Sequence, residues 1–197
     1  MTTNTDWLPP GYKVPKPPSD YMNLEDGANK FRVMSAPVMG YEYWNTAGKP
    51  VRSPQMWEEQ PSDLRIDKRS GKLERIKHFW AFIVWNYDAK RLQVLEITQS
   101  TIQSNIQDLV DNPDWGSPTG FDITVNKKGK GLETEYSVQP SPHKDAPEEA
   151  AKAMRSTKIN LSKLFEGKEP VERDETNDRA LDEFDRTLGG DGETVIN

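Results

Sequence analysis

HFWAFIVWNYDAKRLQVLEIT, residues 78–98, reads as a β-hairpin. Aromatic and β-branched residues run to Tyr87, Asp88-Ala89-Lys90 makes the turn, and a second apolar run returns. Successive strand side chains point to opposite faces. Phe79, Ala81, Ile83, Trp85 and Tyr87 therefore share one face, and Trp80, Phe82, Val84 and Asn86 share the other. Both faces are apolar, so either the strand is covered on both sides or one face offers rings to a ligand. The return strand alternates at Leu92 and Val94 and then changes phase to Leu95 and Ile97. A one-residue phase change predicts a β-bulge.

Upstream, KFRVMSAPVMGYEYWN (30–45) is rich in strand formers and broken at Pro37 and Gly40, which predicts two short strands or one bent strand. Residues 46–77 carry Arg65, Lys68, Arg69, Lys72, Arg75 and Lys77 between Pro and Gly breaks. They read as a long basic loop of the kind that is functional or disordered. Downstream, Ile102, Ile106, Leu109 and Val110 recur at helical spacing over 100–112, with Ser100 as the expected N-cap. TGFDITV (119–125) and LETEYSVQP (132–140) form a second hairpin across a tip bearing Lys127, Lys128 and Lys130. A short helix is expected over 146–157 with Pro147 at its start, and INLSKLF (159–165) is expected to dock on the body.

This order predicts a mainly β fold: an OB-fold-like five-stranded barrel with one or two short helices. An SH3-like barrel and an α+β sandwich fit the same order. The chain is expected to divide into a proline-rich, extended N-terminal arm (1–29), an OB-fold-like domain (30–143), a short helix and docking segment (144–170) and an acidic, disordered tail (171–197).

The net charge is −6 over 197 residues. Its distribution is uneven, at −2 for residues 1–29, +2 for 30–144 and −6 for 145–197. A mildly basic body with an acidic arm points to nucleic acid, although a solubilising tail would give the same asymmetry. In the tail, Leu181, Phe184 and Leu188 are spaced to form one helical face for docking into a partner groove. There are no cysteines, which excludes disulfides and Cys-based zinc sites and suits a cytoplasmic protein. The two histidines alone cannot build a metal site. No apolar run is long enough to span a membrane, and the first residues carry no signal-peptide pattern, so no membrane partner is expected.

Basic and aromatic residues interleave, as single-strand binding requires: cations track the backbone while rings stack on bases. The candidate nucleic-acid-binding residues are Arg32, Tyr43, Trp44, Arg65, Lys68, Arg69, Lys72, Arg75, Lys77, Trp80, Trp85, Tyr87, Arg91, Lys127, Lys128, Lys130 and Tyr136. For any single ring, core packing competes with this role. The lysine tip lacks the Walker spacing and sits between strands, which argues against nucleotide hydrolysis. It fits a grip on phosphates, or equally a solvated turn whose lysines block edge pairing. No metal pair, catalytic constellation or cofactor motif stands out, so a non-enzyme without metal or cofactor is expected. A phage structural or adaptor protein and a small metal-dependent nuclease are the rival readings.

LQVLEITQSTIQSNIQDLVDNPDWGSPTGFDITVNKKGKGLETEYSVQP (92–140) resembles the single-stranded-DNA-binding replication proteins of tailed phages and prophages, relatives of the phage helix-destabilising proteins. The resemblance rests on Leu95-Glu96-Ile97 followed by Ile102, the DNPDWG loop, the FDITV strand, the lysine-glycine tip and TEYSV, with FRVMSAPVMGYEYWN and KPVR upstream. It implies an OB-fold that coats single-stranded DNA during phage replication, recombination or repair, self-association on DNA, and an acidic C-terminal arm that recruits replication or recombination proteins. If the chain is phage-encoded, it would act in the bacterial host cytoplasm. The absence of cysteine means that the family's zinc-ribbon insertion is missing.

Overall fold

The computed structural model describes residues 19–68 and 70–172. The acidic tail, Leu181, Phe184, Leu188, Arg69 and most of the proline-rich arm lie outside them. Eight strands form one sheet: β1 (Tyr21–Met22), β2 (Gly27–Val33), β3 (Val38–Trp44), β4 (Pro50–Ser53), β5 (Lys77–Asn86), β6 (Arg91–Ile97), β7 (Asp122–Lys128) and β8 (Glu135–Pro140). Two helices, α1 (Ser100–Asp111) and α2 (Glu148–Ser156), and short 3₁₀ turns accompany the sheet among the described residues.

β5 organises the sheet, and it is the first strand of the hairpin at 78–98. Along one edge it pairs with β6, from Trp80↔Ile97 to Asn86↔Arg91. Along the other edge it pairs with β3 in its first half and β2 in its second. β2 and β3 thus form one long interrupted strand. Val33 faces Val84 and Val38 faces Ala81, so five steps on one side span three on the other. Two extra residues are accommodated between Met34 and Pro37, where the Ser35 hydroxyl accepts the Ile83 amide at 3.0 Å. The chain's bulge lies here. The β5–β6 ladder keeps a constant register to Ile97, so the bulge expected after Val94 is absent. The phase change there has another cause. Leu92 and Val94 join the core on one face, and Leu95 and Ile97 join the core on the other.

Both faces are covered. Ile102 and Ile106 of α1 pack on Phe31, Val33, Phe82, Val84, Phe121, Ile123 and Val125. Gln99, not Ser100, is the N-cap, and its side chain makes no capping bond. On the opposite face, Ala150 of α2 and Leu161 and Leu164 of the following 3₁₀ turn pack on Phe79, Ala81, Ile83, Trp85, Leu92 and Val94. Segment 144–172 is therefore part of the packed body. So are residues 19–29, expected as arm, because β1 pairs in parallel with β6 and β2 begins at Gly27.

The expectation of a mainly β fold holds, but among the described residues the OB-fold-like five-stranded barrel is replaced by an eight-stranded sheet that does not close. The sheet is open and mixed, in the order β1-β6-β5-β2-β7-β8 with β3 and β4 off β5. Among the described residues, no ladder joins β8 to β6, because β1 takes the free edge of β6 and α1 packs against β8. None of the described helices is long and apolar enough to cross a membrane.

Candidate nucleic-acid interface

The described residues of the loop between β4 and β5 are held by backbone bonds. An isolated bridge between Asn45 and Leu64 continues the β3 edge, and Leu64 is buried. Ile66 then bridges Leu73, while the Asp67 amide donates to the Lys72 carbonyl and the Gly71 amide to the Asp67 carbonyl. Asp67 Oδ1 accepts from the Ser70 amide at 2.8 Å, and Gly71 takes φ +66°, a conformation glycine tolerates without a Cβ clash. The result is a small finger. At its base, Arg65 grips Glu74 through two bonds of 2.8 and 3.0 Å and lies 5.0 Å from the Trp44 ring centre.

Ile66 and Leu73 sit opposite each other on this finger, 56% and 50% exposed. Lys68, Lys72, Arg75 and Lys77 are exposed around them. The neighbouring sheet edge carries rings. Tyr41 faces His78 at 5.3 Å edge-on, and Tyr43 packs edge-on against Trp57 at 4.9 Å. Met39, opposite Trp80, is half exposed. Cations, rings and unpartnered apolar side chains thus meet at the β3–β4 end of the sheet.

The other candidates are dispersed. Arg32 is fully buried and donates to Asp122 through Nε at 2.9 Å, with Nη2 in ion-pair contact at 2.7 Å from the same oxygen, and its Nη1 donates to the Thr119 and Lys144 carbonyls. It is a core residue and not a surface contact for DNA. Tyr87 donates to the same carboxylate at 2.8 Å, and Lys30 and Lys144 approach its second oxygen at 3.2 and 2.8 Å. Burial works against ionisation of Asp122, but hydrogen bonds from Lys144, Tyr87, Lys30 and Arg32 together outweigh it and hold its pKa down to about 2. Burial, then the bond to Asp122, pushes Tyr87 up to about 12. Trp85 and Tyr43 are buried, the latter bonding Asp63 through its hydroxyl at 2.8 Å. Arg91 pairs with Asp20 at 3.0 Å, and Tyr136 packs partly against the α1-side core.

Lys128 and Lys130 are exposed, but Lys127 bends back to the Leu24 carbonyl at 3.0 Å and to Asp26 at 3.6 Å. Their hairpin tip does not adjoin the finger. Lys127 faces Gly27, whereas the finger leads into Lys77, and β2 meets β5 only from Phe31↔Asn86 to Val33↔Val84. The two basic stretches therefore occupy opposite ends of the sheet. Sequence reasoning left Met39, Trp57, Ile66 and Leu73 out of the site. The available signal was the pair Ile66 and Leu73, apolar residues bracketing a Lys- and Gly-containing turn in an otherwise polar loop.

No family model matches the chain, and no solved structure matches it. A probable ssDNA-binding protein of Escherichia phage T5 is 28% identical over 141 residues, an alignment that covers 61% of this chain and 54% of that protein. The chain thus spans about half the length of this curated relative. This chain is a distant homologue of the probable ssDNA-binding protein of phage T5.

Proposed function

We propose that the protein binds single-stranded DNA with little sequence preference and without catalysis, as a phage replication, recombination or repair factor acting in the host cytoplasm. The observation that carries this reading is the finger. Four exposed cations, Lys68, Lys72, Arg75 and Lys77, surround two exposed apolar side chains beside the Trp44–Arg65 stack and the Tyr41–His78 pair. Cations there can neutralise phosphates, while rings and apolar groups offer faces to bases of any identity. The distant phage homologue supports the same reading. Lys128 and Lys130 at the far end would make a second phosphate contact, so a strand would run along the length of the sheet.

Titration with poly-dT at two salt concentrations, read by tryptophan fluorescence, tests the proposal. Binding should weaken steeply with salt. Changing Lys68, Lys72, Arg75 and Lys77 together to Gln should lower the slope of log K against log salt by up to about 3, at roughly 0.7 per phosphate contact. Absence of binding in the folded wild type would favour a structural or adaptor role, and magnesium-dependent cutting of the strand would reveal a nuclease.

A further inference from the structure

A second recessed surface lies on the α1 side of the sheet. It is a groove of about 590 Å³ whose walls include Pro37, Trp80, Ile106, Val110 and Pro118. Val110 is exposed here, although its spacing placed it on the apolar face of α1. The indole Nε1 of Trp80 is buried and has no hydrogen-bond partner among the described residues.

The surroundings argue against DNA. From Leu92 to Asn126 there is no lysine or arginine, and α1 and the turn after it carry Asp108, Asp111 and Asp114. A polyanion would be repelled there. The same sign excludes the chain's own C-terminal segment, since residues 173–197 carry a net charge of −5. The N-terminal segment has the opposite character. WLPPGYKVPKPP (7–18) holds five prolines, Trp7, Tyr12, Lys13 and Lys16, with no acid. Proline-rich chain favours the polyproline II form, which has no internal hydrogen bonds, and proline itself has no N–H. Aromatic-lined apolar grooves are the usual receptors for that form.

We propose that the segment 7–18 docks with its first residues in the Trp80 groove of its own chain, its rings and prolines against Trp80, Ile106 and Val110 and its lysines facing the α1 aspartates. The anchor permits it. The Ser19 carbonyl accepts from Gln93 Nε2 at 2.7 Å, and Tyr21 faces Val94, while Trp80 faces Ile97. Ser19 therefore sits about five strand residues from the groove level, roughly 17 Å. β1 is also two strand spacings from β5, roughly 10 Å, so the separation is about 20 Å. Residues 8–18 as polyproline II span about 34 Å, enough to cross it and leave the first residues of the segment for the groove.

The chain has no cysteine, so one can be introduced cleanly. A nitroxide at Gly11→Cys on the full chain should broaden the amide signals of Gln107, Val110 and Ser117 and leave the finger untouched. Val110→Lys, at an exposed position, or Trp7→Ala with Leu8→Ala in the segment, should each restore those signals. No broadening at these residues in a folded sample would overturn the proposal, as would broadening that survives both variants. In a mixed sample, with the nitroxide on unlabelled chains and isotope on the others, these signals should stay sharp. Broadening there would assign the groove to a second copy and sink intramolecular docking. Because no DNA is present, this result is independent of the DNA-binding experiment.

Discussion

Asp122 receives four donors, and its environment explains why Arg32 cannot serve a ligand. A buried guanidinium stays only if its charge is met, and Asp122 is the group that meets it. Asp122→Ala would leave Arg32 charged and unpaired and should cost about 3–5 kcal/mol, seen as a large drop in Tm. The carboxyl's folded pKa of about 2 lies below the unfolded value of roughly 3.9. Its contribution is therefore complete above pH 4 and is lost as pH falls towards 2. A shift of that size corresponds to about 2–3 kcal/mol, so unfolding midpoints in denaturant should fall through that window. The Asp122→Ala variant should show a flatter acid profile. Equal pH dependence in the two proteins would show that other carboxylates control acid stability. At this scale the sequence displayed the Arg and the Asp but not their pairing, because they lie 90 residues apart and only the β2–β7 ladder sets Arg32 opposite Asp122.

The interrupted strand β2–β3 sets the position of the candidate interface. Its bulge offsets β3 from β2 along β5, carrying Met39 and Tyr41 to the levels of Trp80 and His78. Gly40 lies where β3 passes under β4 and the 3₁₀ turn. A Cβ there would collide with the Ser53 carbonyl oxygen and come within 2.9 Å of the Phe165 ring. Gly40→Ala should destabilise the fold by about 1–3 kcal/mol through overpacking, measurable by urea unfolding. It should also loosen β4, the strand supplying Arg52, which bonds Glu42 and Glu96 at 2.8 Å each. Burial raises the Glu96 pKa, with Arg52 opposing it, so this junction depends on the guanidinium staying in place. An Ala variant as stable as the wild type would mean that the strands can separate without loss. The break at Pro37 was readable in the sequence, whereas the break expected at Gly40 is not found because Gly40 pairs with Phe79 inside β3; the position of the bulge was not readable, since an extra residue pair is defined only against a partner strand.

Across the whole molecule, charge is segregated by position in the chain as well as by surface. Removing residues 173–197 takes away five net negative charges and leaves a remainder at −1. If the tail competes with DNA for the basic surface, the truncated protein should bind single strands more tightly, most clearly at low salt, where screening is weakest. It should also lose any replication or recombination protein that the tail recruits. Unchanged affinity at low salt, with partner binding intact, would assign the segment no role in either. The amino-acid sequence by itself determined the mainly β composition, the hairpin at 78–98, the helix after it, the lysine tip and the uneven charge, because periodicity, turn residues and formal charge are local properties. Only the tertiary structure decided that the sheet stays open and that Trp85, Tyr43 and Arg32 are interior. The same holds for the separation of the two basic stretches to opposite ends and for the gathering of Ile66, Leu73 and Tyr41 at one of them. Ring exposure and cation clustering depend on which strands become neighbours. That is set by long-range pairing and by α1 and the 144–172 segment competing to cover the two faces of β5, and no local pattern in the chain encodes the outcome.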